Sequence, residues 1–175
     1  MTITIRQETE LDYPITETVI EEAFKNEQQS DQQEHVLVAK IRKSDAFIPQ
    51  LSLVALDKEI VGHILLSHIT IVNEENAVDS LALAPVSVTP SYQSKGIGSQ
   101  LIRTALQQAK DLGYESVIVL GHDAYYPKFG FKRASAFNIK APFDVPDDAF
   151  MALELTPHAL DHVTGIVQYS KPFTE

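Results

Sequence analysis

The stretch that decides the fold is Val88-Thr89-Pro90-Ser91-Tyr92-Gln93-Ser94-Lys95-Gly96-Ile97-Gly98-Ser99. It joins a predicted strand over residues 77–88 to the clearest predicted helix, residues 96–112, whose apolar positions recur every fourth residue at Ile97, Leu101, Ala105 and Ala109. The first turn of a helix has free backbone N–H groups and the positive end of the helix dipole. Glycines there let an anion approach the backbone closely. The stretch therefore predicts a phosphate-binding loop.

Three kinds of glycine-rich phosphate loop differ in their spacing. A P-loop needs Gly-x-x-x-x-Gly-Lys followed by Ser or Thr, and the sequence lacks it. A dinucleotide-binding fingerprint needs a small residue three positions after Gly98, where Leu101 stands. The third pattern, Gln/Arg-x-x-Gly-x-Gly/Ala after a strand carrying Val-x-Pro, is met by Gln93, Gly96 and Gly98. It is the coenzyme A pyrophosphate loop of the GNAT superfamily of N-acetyltransferases, which this sequence resembles.

A second match lies about 30 residues further on, at Tyr125-Tyr126-Pro127-Lys128-Phe129-Gly130-Phe131. It resembles the Tyr-x-x-x-Gly-Phe signature that follows the fifth strand in this family. The resemblance implies that Tyr126 is the general acid that protonates the departing thiolate. A tyrosine suits that role because its ordinary pKa of ~10 keeps it protonated at neutral pH. Tyr125, in the less favourable register, is expected to pack or to contact the cofactor.

The resemblance also implies acetyl-CoA as the co-substrate. A backbone N–H near Val88 would hold the acetyl oxygen and stabilise the oxyanion. The pantetheine arm would pair with the strand around residues 86–88. The residues implied to bind the cofactor are Val86, Ser87, Val88, Gln93, Ser94, Lys95, Gly96, Ile97, Gly98, Ser99, Tyr125, Tyr126 and Phe129.

The resemblance extends from Thr2 to the end of the chain and is strongest to the YhbS-like branch of bacterial acetyltransferases. Its further marks are residues 51–55, 61–64, 120–122 and 150–155. It implies an α/β fold of the α+β type, with a mixed, mostly antiparallel central sheet flanked by helices. The sheet is expected to splay between its fourth and fifth strands. Residues 1–175 would form a single domain, with a core of about 1–135 and C-terminal strands in 136–175.

Periodicity predicts the remaining elements independently. Proline cannot donate to a strand ladder, so Pro85 predicts a bulge or a splayed edge, and Gly113 is placed to cap the long helix. Ile15, Val19, Ile20, Ala23 and Phe24 form an apolar stripe in a helix that Asp12 could cap. The other predicted elements are strands at 2–6, 51–56, 60–72, 116–120, 150–155 and 165–170, and helices at 33–44 and 124–129.

The general base is left open by the sequence. The strand before the loop carries no glutamate, which many members of the family use, and Asp79 lies toward its start. The candidates by position are His122, Asp123, Glu21, Glu22 and His35. His63 and His68 lie in an apolar strand, where a core or sheet-face histidine is the expected interpretation. An amine that arrives neutral, or that loses its proton to water, would need no base.

Composition excludes several classes of site. The chain has no cysteine, which removes disulfides, thiolate metal sites and a cysteine nucleophile. His158 and His162 have helical ligand spacing but no HExxH pattern, so no metal is expected. The net charge of −10 argues against nucleic acid as a partner. No apolar run is long enough for a membrane span and the amino-terminal residues do not resemble a signal peptide, so a cytoplasmic protein is expected.

The predicted function is the direct transfer of an acetyl group from acetyl-CoA to a primary amine. Nine acidic residues and only one basic residue, Lys25, lie between Gln7 and Glu34, which suggests a cationic acceptor or simply a solvated helix face. Two alternatives stay open: a non-catalytic acyl-CoA-binding sensor, and an acetyltransferase for proteins or peptides. A homodimer is also compatible with the sequence.

Overall fold

The computed structural model describes residues Met1–Glu175 and contains one nine-stranded mixed sheet with helices on both faces. The four α-helices are α1 (Tyr13–Phe24), α2 (Glu34–Arg42), α3 (Ile97–Asp111) and α4 (Lys171–Thr174). The strands are β1 (Thr4–Gln7), β2 (Ser52–Asp57), β3 (Glu59–Val72), β4 (Ala77–Val88), β5 (Ser116–Leu120), β6 (Lys132–Arg133), β7 (Ile139–Lys140), β8 (Phe150–Glu154) and β9 (Gly165–Gln168).

The strands follow the order β1-β2-β3-β4-β5-β8-β6, and β9 joins the far end of β3 and pairs with β7. All pairs are antiparallel except β4–β5 and β7–β9. The parallel β4–β5 pair is the point where the chain crosses over through α3, as a parallel connection requires. The mixed, mostly antiparallel sheet expected from the sequence is thus confirmed.

Strands β4 and β5 separate after a short contact. They pair only at Leu81↔Val117 and Ala82↔Ile118, although β4 continues to Val88. Just past this point Ala84 and Pro85 lie together opposite Leu65 of β3, so β4 carries a bulge. Both the splayed sheet and the irregularity at Pro85 were predicted, and both are present.

Alternation along the strands divides the core into two layers. Leu53 and Ala55 of β2 belong to a 20-residue cluster that includes the buried side of α3, whereas Val54 packs on the other face with Val19 of α1. The predicted apolar positions of α3 are all buried, and Gly113, at φ +95°, ends the helix with its N–H donating to Lys110 O.

Differences from the predicted elements are small and local. Ile15, assigned to the apolar stripe of α1, is 51% exposed, because the buried face of the helix carries Thr16, Val19 and Ile20 instead. Asp12 stands at the helix start but accepts hydrogen bonds from Arg6 and from the Thr9 N–H instead of capping α1. The predicted short helix after β5 is a 3-10 turn over Tyr126–Phe129. Strands β6 and β7 and helix α4 were not predicted, because elements of two to four residues show no periodicity.

Among the helices, none has both the length and the apolar character that crossing a membrane requires.

Candidate active site

The predicted phosphate loop is a shaped turn between β4 and α3. Ser94 and Gly96 adopt φ of +63° and +84°, which lets the chain reverse directly into the helix. The loop is fixed at both ends. The Gln93 Nε2 donates to Val88 O at 3.0 Å, and the Tyr92 hydroxyl donates to Asp57 Oδ2 at 2.7 Å. That bond to a carboxylate raises the pKa of Tyr92, which therefore stays a donor.

The start of α3 presents free donors. The first backbone bond of the helix runs from Gln100 N–H to Gly96 O at 3.1 Å, which leaves the N–H groups of Ile97, Gly98 and Ser99 without helical partners. No acidic residue lies in the first turn, so the helix itself carries no side chain that neutralises the positive end of its dipole. This end of the helix can bind an anion.

Three basic side chains surround the loop. The Lys95 Nζ lies 5.5 Å from the Tyr92 ring centre, and the Lys128 Nζ lies 4.1 Å from that of Tyr125. The Arg103 guanidinium lies 4.8 Å from the centre of the Phe129 ring. None of these three cations forms an ion pair within the chain. One of these cations thus belongs to the loop and two lie against the aromatic turn after β5, in a protein of net charge −10.

The gap between β4 and β5 exposes backbone donors of β4. The Thr89 N–H donates to Val61 O of β3 at 2.9 Å, and donors alternate in direction along an antiparallel ladder. The N–H of Val88 therefore points away from β3, toward the gap. Its side chain borders Gly98, because a Cβ placed on that glycine would lie 3.9 Å from Val88 Cγ2.

The Tyr126 side chain is held on three sides. It is 8% exposed, and its ring packs edge-on against Tyr125 and Phe131 with centres 5.1 and 5.7 Å away. Any Cβ at Gly121 would overlap this ring, so the glycine after β5 makes room for it. The hydroxyls of Tyr92 and Tyr125 form side-chain hydrogen bonds, whereas that of Tyr126 forms none. Burial, with a smaller contribution from Tyr125, raises the pKa of Tyr126 to about 12.

A direct contact joins the two predicted motifs. The Tyr125 hydroxyl lies 3.2 Å from Ser99 Oγ, in the first turn of α3, and 3.5 Å from where a Cβ on Gly98 would lie. Phe129 packs edge-on against Tyr125, with ring centres 5.3 Å apart. The aromatic turn after β5 is thereby fastened to the phosphate loop, and the two segments form one site.

The family profile described as "Acetyltransferase (GNAT) family" matches residues 5–131. This chain belongs to the GNAT acetyltransferase family. The N-acetyltransferase YjhQ of Escherichia coli is 35% identical to it over 141 residues, covering 78% of this chain and 77% of YjhQ. YhbS of Escherichia coli is 29% identical over 171 residues, covering 97% of each chain.

Two solved GNAT structures are similar over the whole length. The crystal structure of Escherichia coli YhbS in complex with CoA has a TM-score of 0.88 and 27% identity, over 99% of this chain and 92% of YhbS. A GNAT acetyltransferase from Brucella melitensis in complex with acetyl-CoA has a TM-score of 0.81 and 32% identity, over 98% of both chains. The resemblance stated from the sequence is confirmed.

Most of the candidate bases of this GNAT domain lie at the surface. His122 and Asp123 are exposed, and Glu22 is exposed on α1. Glu21 lies 3.3 Å from His35, with which it forms a pair between α1 and α2. The structure brings none of these side chains together with Tyr126, and the base stays unassigned.

The two strand histidines are structural, as expected. His63 is fully buried, with Nε2 3.0 Å from Ser52 Oγ and 3.7 Å from Glu8 Oε1, and desolvation lowers its pKa to about 4. His68 pairs with Asp79 at 2.8 Å on the sheet surface. Asp79, the one acidic residue of β4, is engaged there, at the end of β4 remote from Val88.

A cavity of about 950 Å³ opens where β4 and β5 part. It is lined by Ala82 and Ala84 of β4 and by Ile118 and Leu120 of β5. Its other wall comes from the C-terminal segments, including Phe143 and Tyr169. This cavity could not be predicted from the sequence, because its two walls lie more than 20 residues apart along the chain and meet only through tertiary contacts such as the pairing of β9 with β3.

Proposed function

We propose that this GNAT acetyltransferase transfers the acetyl group of acetyl-CoA directly to a primary amine. The observation that carries the proposal is the junction of the phosphate loop, the exposed Val88 N–H and Tyr126 at one end of the gap, fastened by Tyr125 and Ser99. The complexes of the two relatives with CoA and acetyl-CoA support the same co-substrate here.

The cofactor is proposed to lie along α3 and into the gap. The pyrophosphate would accept hydrogen bonds from the N–H groups of Ile97, Gly98 and Ser99, with the nearby Lys95, Lys128 and Arg103 attracting the remaining charge. The pantetheine arm would replace the missing β5 partner along residues 86–88. Ser94, Gln93 and Gly96 shape the loop and supply no charge.

The reaction is proposed to proceed in a ternary complex. The amine nitrogen attacks the thioester carbonyl carbon, and the C–N bond forms as the carbonyl oxygen becomes an oxyanion. The Val88 N–H donates to that oxygen. When the C–S bond breaks, the Tyr126 hydroxyl gives its proton to the departing sulfur and regains one from solvent. The proton of the amine leaves to water, since no side chain is assigned as the base. Catalysis then rests on proximity and oxyanion stabilisation.

Replacement of Gly98 by aspartate tests the phosphate loop. A carboxylate in the first turn should not weaken α3, because it suits the helix dipole, but it would repel the pyrophosphate. We expect Gly98→Asp to weaken acetyl-CoA binding by about tenfold or more, measured by calorimetry. Thr104→Asp, exposed on the same helix, is the matched control and should leave the affinity unchanged.

Equal acetyl-CoA affinity in Gly98→Asp and the parent protein would contradict the assignment of the phosphate loop.

Release of CoA with a panel of amines tests the transfer itself. Tight binding of acetyl-CoA with no CoA released in the presence of any amine or peptide would contradict the enzyme and favour a sensor.

A further inference from the structure

The cavity beside the strand gap has no role in binding the cofactor as proposed. Leu81 and Val117 face α3, whereas the adjoining Ala82 and Ile118 face the opposite side of the sheet and line the cavity. The phosphate loop and the cavity therefore lie on opposite faces of the sheet and meet only where β4 and β5 separate. A group entering through the cavity reaches the thioester from the side that the cofactor leaves free.

The lining of the cavity is apolar and partly open. Eleven of its fifteen residues are hydrophobic. Of the seven large hydrophobic side chains that the chain exposes, three lie here: Leu120, Phe143 and Ile166. Exposed apolar side chains that converge in one concavity mark a binding site more than scattered ones do. Phe143 stacks on Tyr169 with ring centres 6.0 Å apart, and Phe173 lies 5.1 Å from Tyr169, so the wall offers aromatic surfaces.

The charge in the cavity has one sign. Lys171 is the single charged residue of the lining, and it makes no ion pair within the chain. No carboxylate lines the cavity, so nothing there would hold a polycation. The Tyr169 hydroxyl makes no hydrogen bond in the chain, and burial raises the pKa of Tyr169 to about 12, which keeps it a donor.

The acidic N-terminal segment does not supply the missing negative charge. Glu8 pairs with Arg42 at 2.7 Å, Asp12 with Arg6 at 2.7 Å, and neither lines the cavity. Much of the acidic excess thus serves internal ion pairs or faces solvent. The expectation of a cationic acceptor is not tested by this, but the cavity itself favours another class.

We propose that this cavity is the acceptor site, and that its substrate is an amine on an apolar, aromatic-sized body that also carries a carboxylate. The ring packs against Phe143 and Tyr169, and the carboxylate faces Lys171. The amine lies at the Ala84 end, where the strands part. This inference rests on the proposed acetyl transfer and names its acceptor class: aromatic amino acids and aminobenzoates.

A panel of acceptors compared with their truncated forms tests the inference. With acetyl-CoA held constant, we expect the kcat/KM for phenylalanine, tryptophan or 4-aminobenzoate to exceed that for phenethylamine, tryptamine or aniline by up to about fivefold, because only the acids can pair with Lys171. The kcat/KM values for the aromatic acids should also exceed those for spermidine and glycine. Lys171→Glu should reverse the order within each pair of acid and truncated amine. Lys132→Glu, an exposed lysine outside the cavity, is the control.

The apolar wall is tested separately. Ile166→Glu should lower the kcat/KM for the aromatic acids while leaving the KM for acetyl-CoA unchanged. Leu112→Glu, at an exposed apolar residue outside the cavity, should change neither. If Ile166→Glu has no effect, or spermidine or a peptide is the best acceptor, the inference is wrong.

Two further outcomes would overturn it while leaving acetyl transfer intact. One is higher activity with long acyl-CoAs, sensitive to Ile166→Glu, which would make the cavity an acyl-chain site. The other is turnover confined to small hydrophilic amines. If the parent protein does not bind acetyl-CoA, the proposed function itself is contradicted. If acetyl-CoA binds and the aromatic acids neither bind the CoA-loaded protein nor are acetylated, the inference about the acceptor is wrong. The proposed acetyl transfer is then not contradicted.

Discussion

The Tyr126 phenol is positioned by packing, since no hydrogen bond directs it. Gly121 makes room for one face of its ring, and Tyr125 and Phe131 contact its edges. An unpartnered hydroxyl is free to donate to a group that arrives in the gap. Its pKa of about 12 means that the hydroxyl keeps its proton far above neutral pH. The hydroxyl should therefore be protonated at every pH at which acetyl-CoA is stable, and its ability to donate a proton should not change over that range.

Tyr126→Phe separates catalysis from binding. We expect kcat to fall by about 10²-fold or more, because the thiolate must leave without a positioned acid. The acetyl-CoA affinity should stay nearly constant, since the ring and its packing are kept. Rapid-quench measurement of CoA release, with calorimetry for affinity, checks both quantities.

The pH profile supplies the control for this variant. In the parent protein the rate should not decline between pH 8 and 10 through loss of the acid, because a group with a pKa of about 12 is still protonated there. Unchanged kcat in Tyr126→Phe, or lost acetyl-CoA binding, would make the tyrosine structural.

At the scale of elements, one buried ion pair joins the end of β1 to α2. The Arg42 Nη2 donates to Glu8 Oε2 at 2.7 Å, and the two side chains are 6% and 0% exposed. Ser52 of β2 donates to the same carboxylate at 2.7 Å, and the Arg42 guanidinium stacks 3.8 Å from the Tyr13 ring centre of α1. This ion pair and its contacts therefore connect β1, β2, α1 and α2 on the face of the sheet opposite α3.

Arg42→Met is expected to destabilise the fold strongly. The Glu8 carboxylate would stay buried without its cation, a change that typically costs about 3–5 kcal/mol of unfolding free energy. Chemical denaturation measures the loss. Arg133→Met breaks an exposed pair with Asp147 and should cost about 1 kcal/mol or less. Adding Glu8→Gln to Arg42→Met should restore part of the stability, and equal losses in the two single variants would contradict the assignment.

Some elements of the fold can be predicted from the sequence and others cannot. The strands β3, β4 and β5 and the helix α3 were predictable because each has a long or uniform apolar pattern, and Pro85 marks the bulge. The phosphate loop and the aromatic turn carry spaced glycines and tyrosines, so they were predictable as motifs. The hydrogen bond between Tyr125 and Ser99 was not predictable, because it joins side chains 26 positions apart. Strands β6 and β7 exist only through pairing with β8 and β9, which local propensity does not encode.

On the scale of the molecule, the unpaired positive side chains lie at particular places in the fold. The unpaired cations Lys95, Arg103 and Lys128 surround the phosphate loop, and Lys171 lies alone in the cavity on the other face. Acidic groups dominate elsewhere and give the net charge of −10. The field should therefore draw the polyphosphate of the cofactor to one face and a carboxylate to the other. Both attractions weaken as ionic strength rises.

Stability should fall steeply in acid, and His63 should set where the fall begins. In the folded protein desolvation lowers the His63 pKa from 6.5 to about 4, with Arg42 adding to and Glu8 opposing the shift. Between these two values only the unfolded chain binds the proton, so lowering the pH favours unfolding. The loss amounts to roughly 3 kcal/mol by pH 4, a large part of a typical total of about 5–15 kcal/mol. Below pH 4, protonation of Asp12 continues the loss of stability, because the hydrogen bond from Arg6 holds the pKa of Asp12 in the folded protein well below 3.8.

His63→Gln distinguishes this origin from general acid unfolding. Glutamine can still bond Ser52 but does not titrate, so we expect the slope of the unfolding free energy against pH to vanish between pH 6.5 and 4.5. The loss below pH 4 should remain, since Arg6 and Asp12 are unchanged. His162→Gln, at an exposed position, should keep the slope of the parent protein. Urea titrations at half-unit pH intervals measure all three proteins, and a parent curve that is flat between pH 6.5 and 4.5 would show that His63 is not buried and neutral in solution.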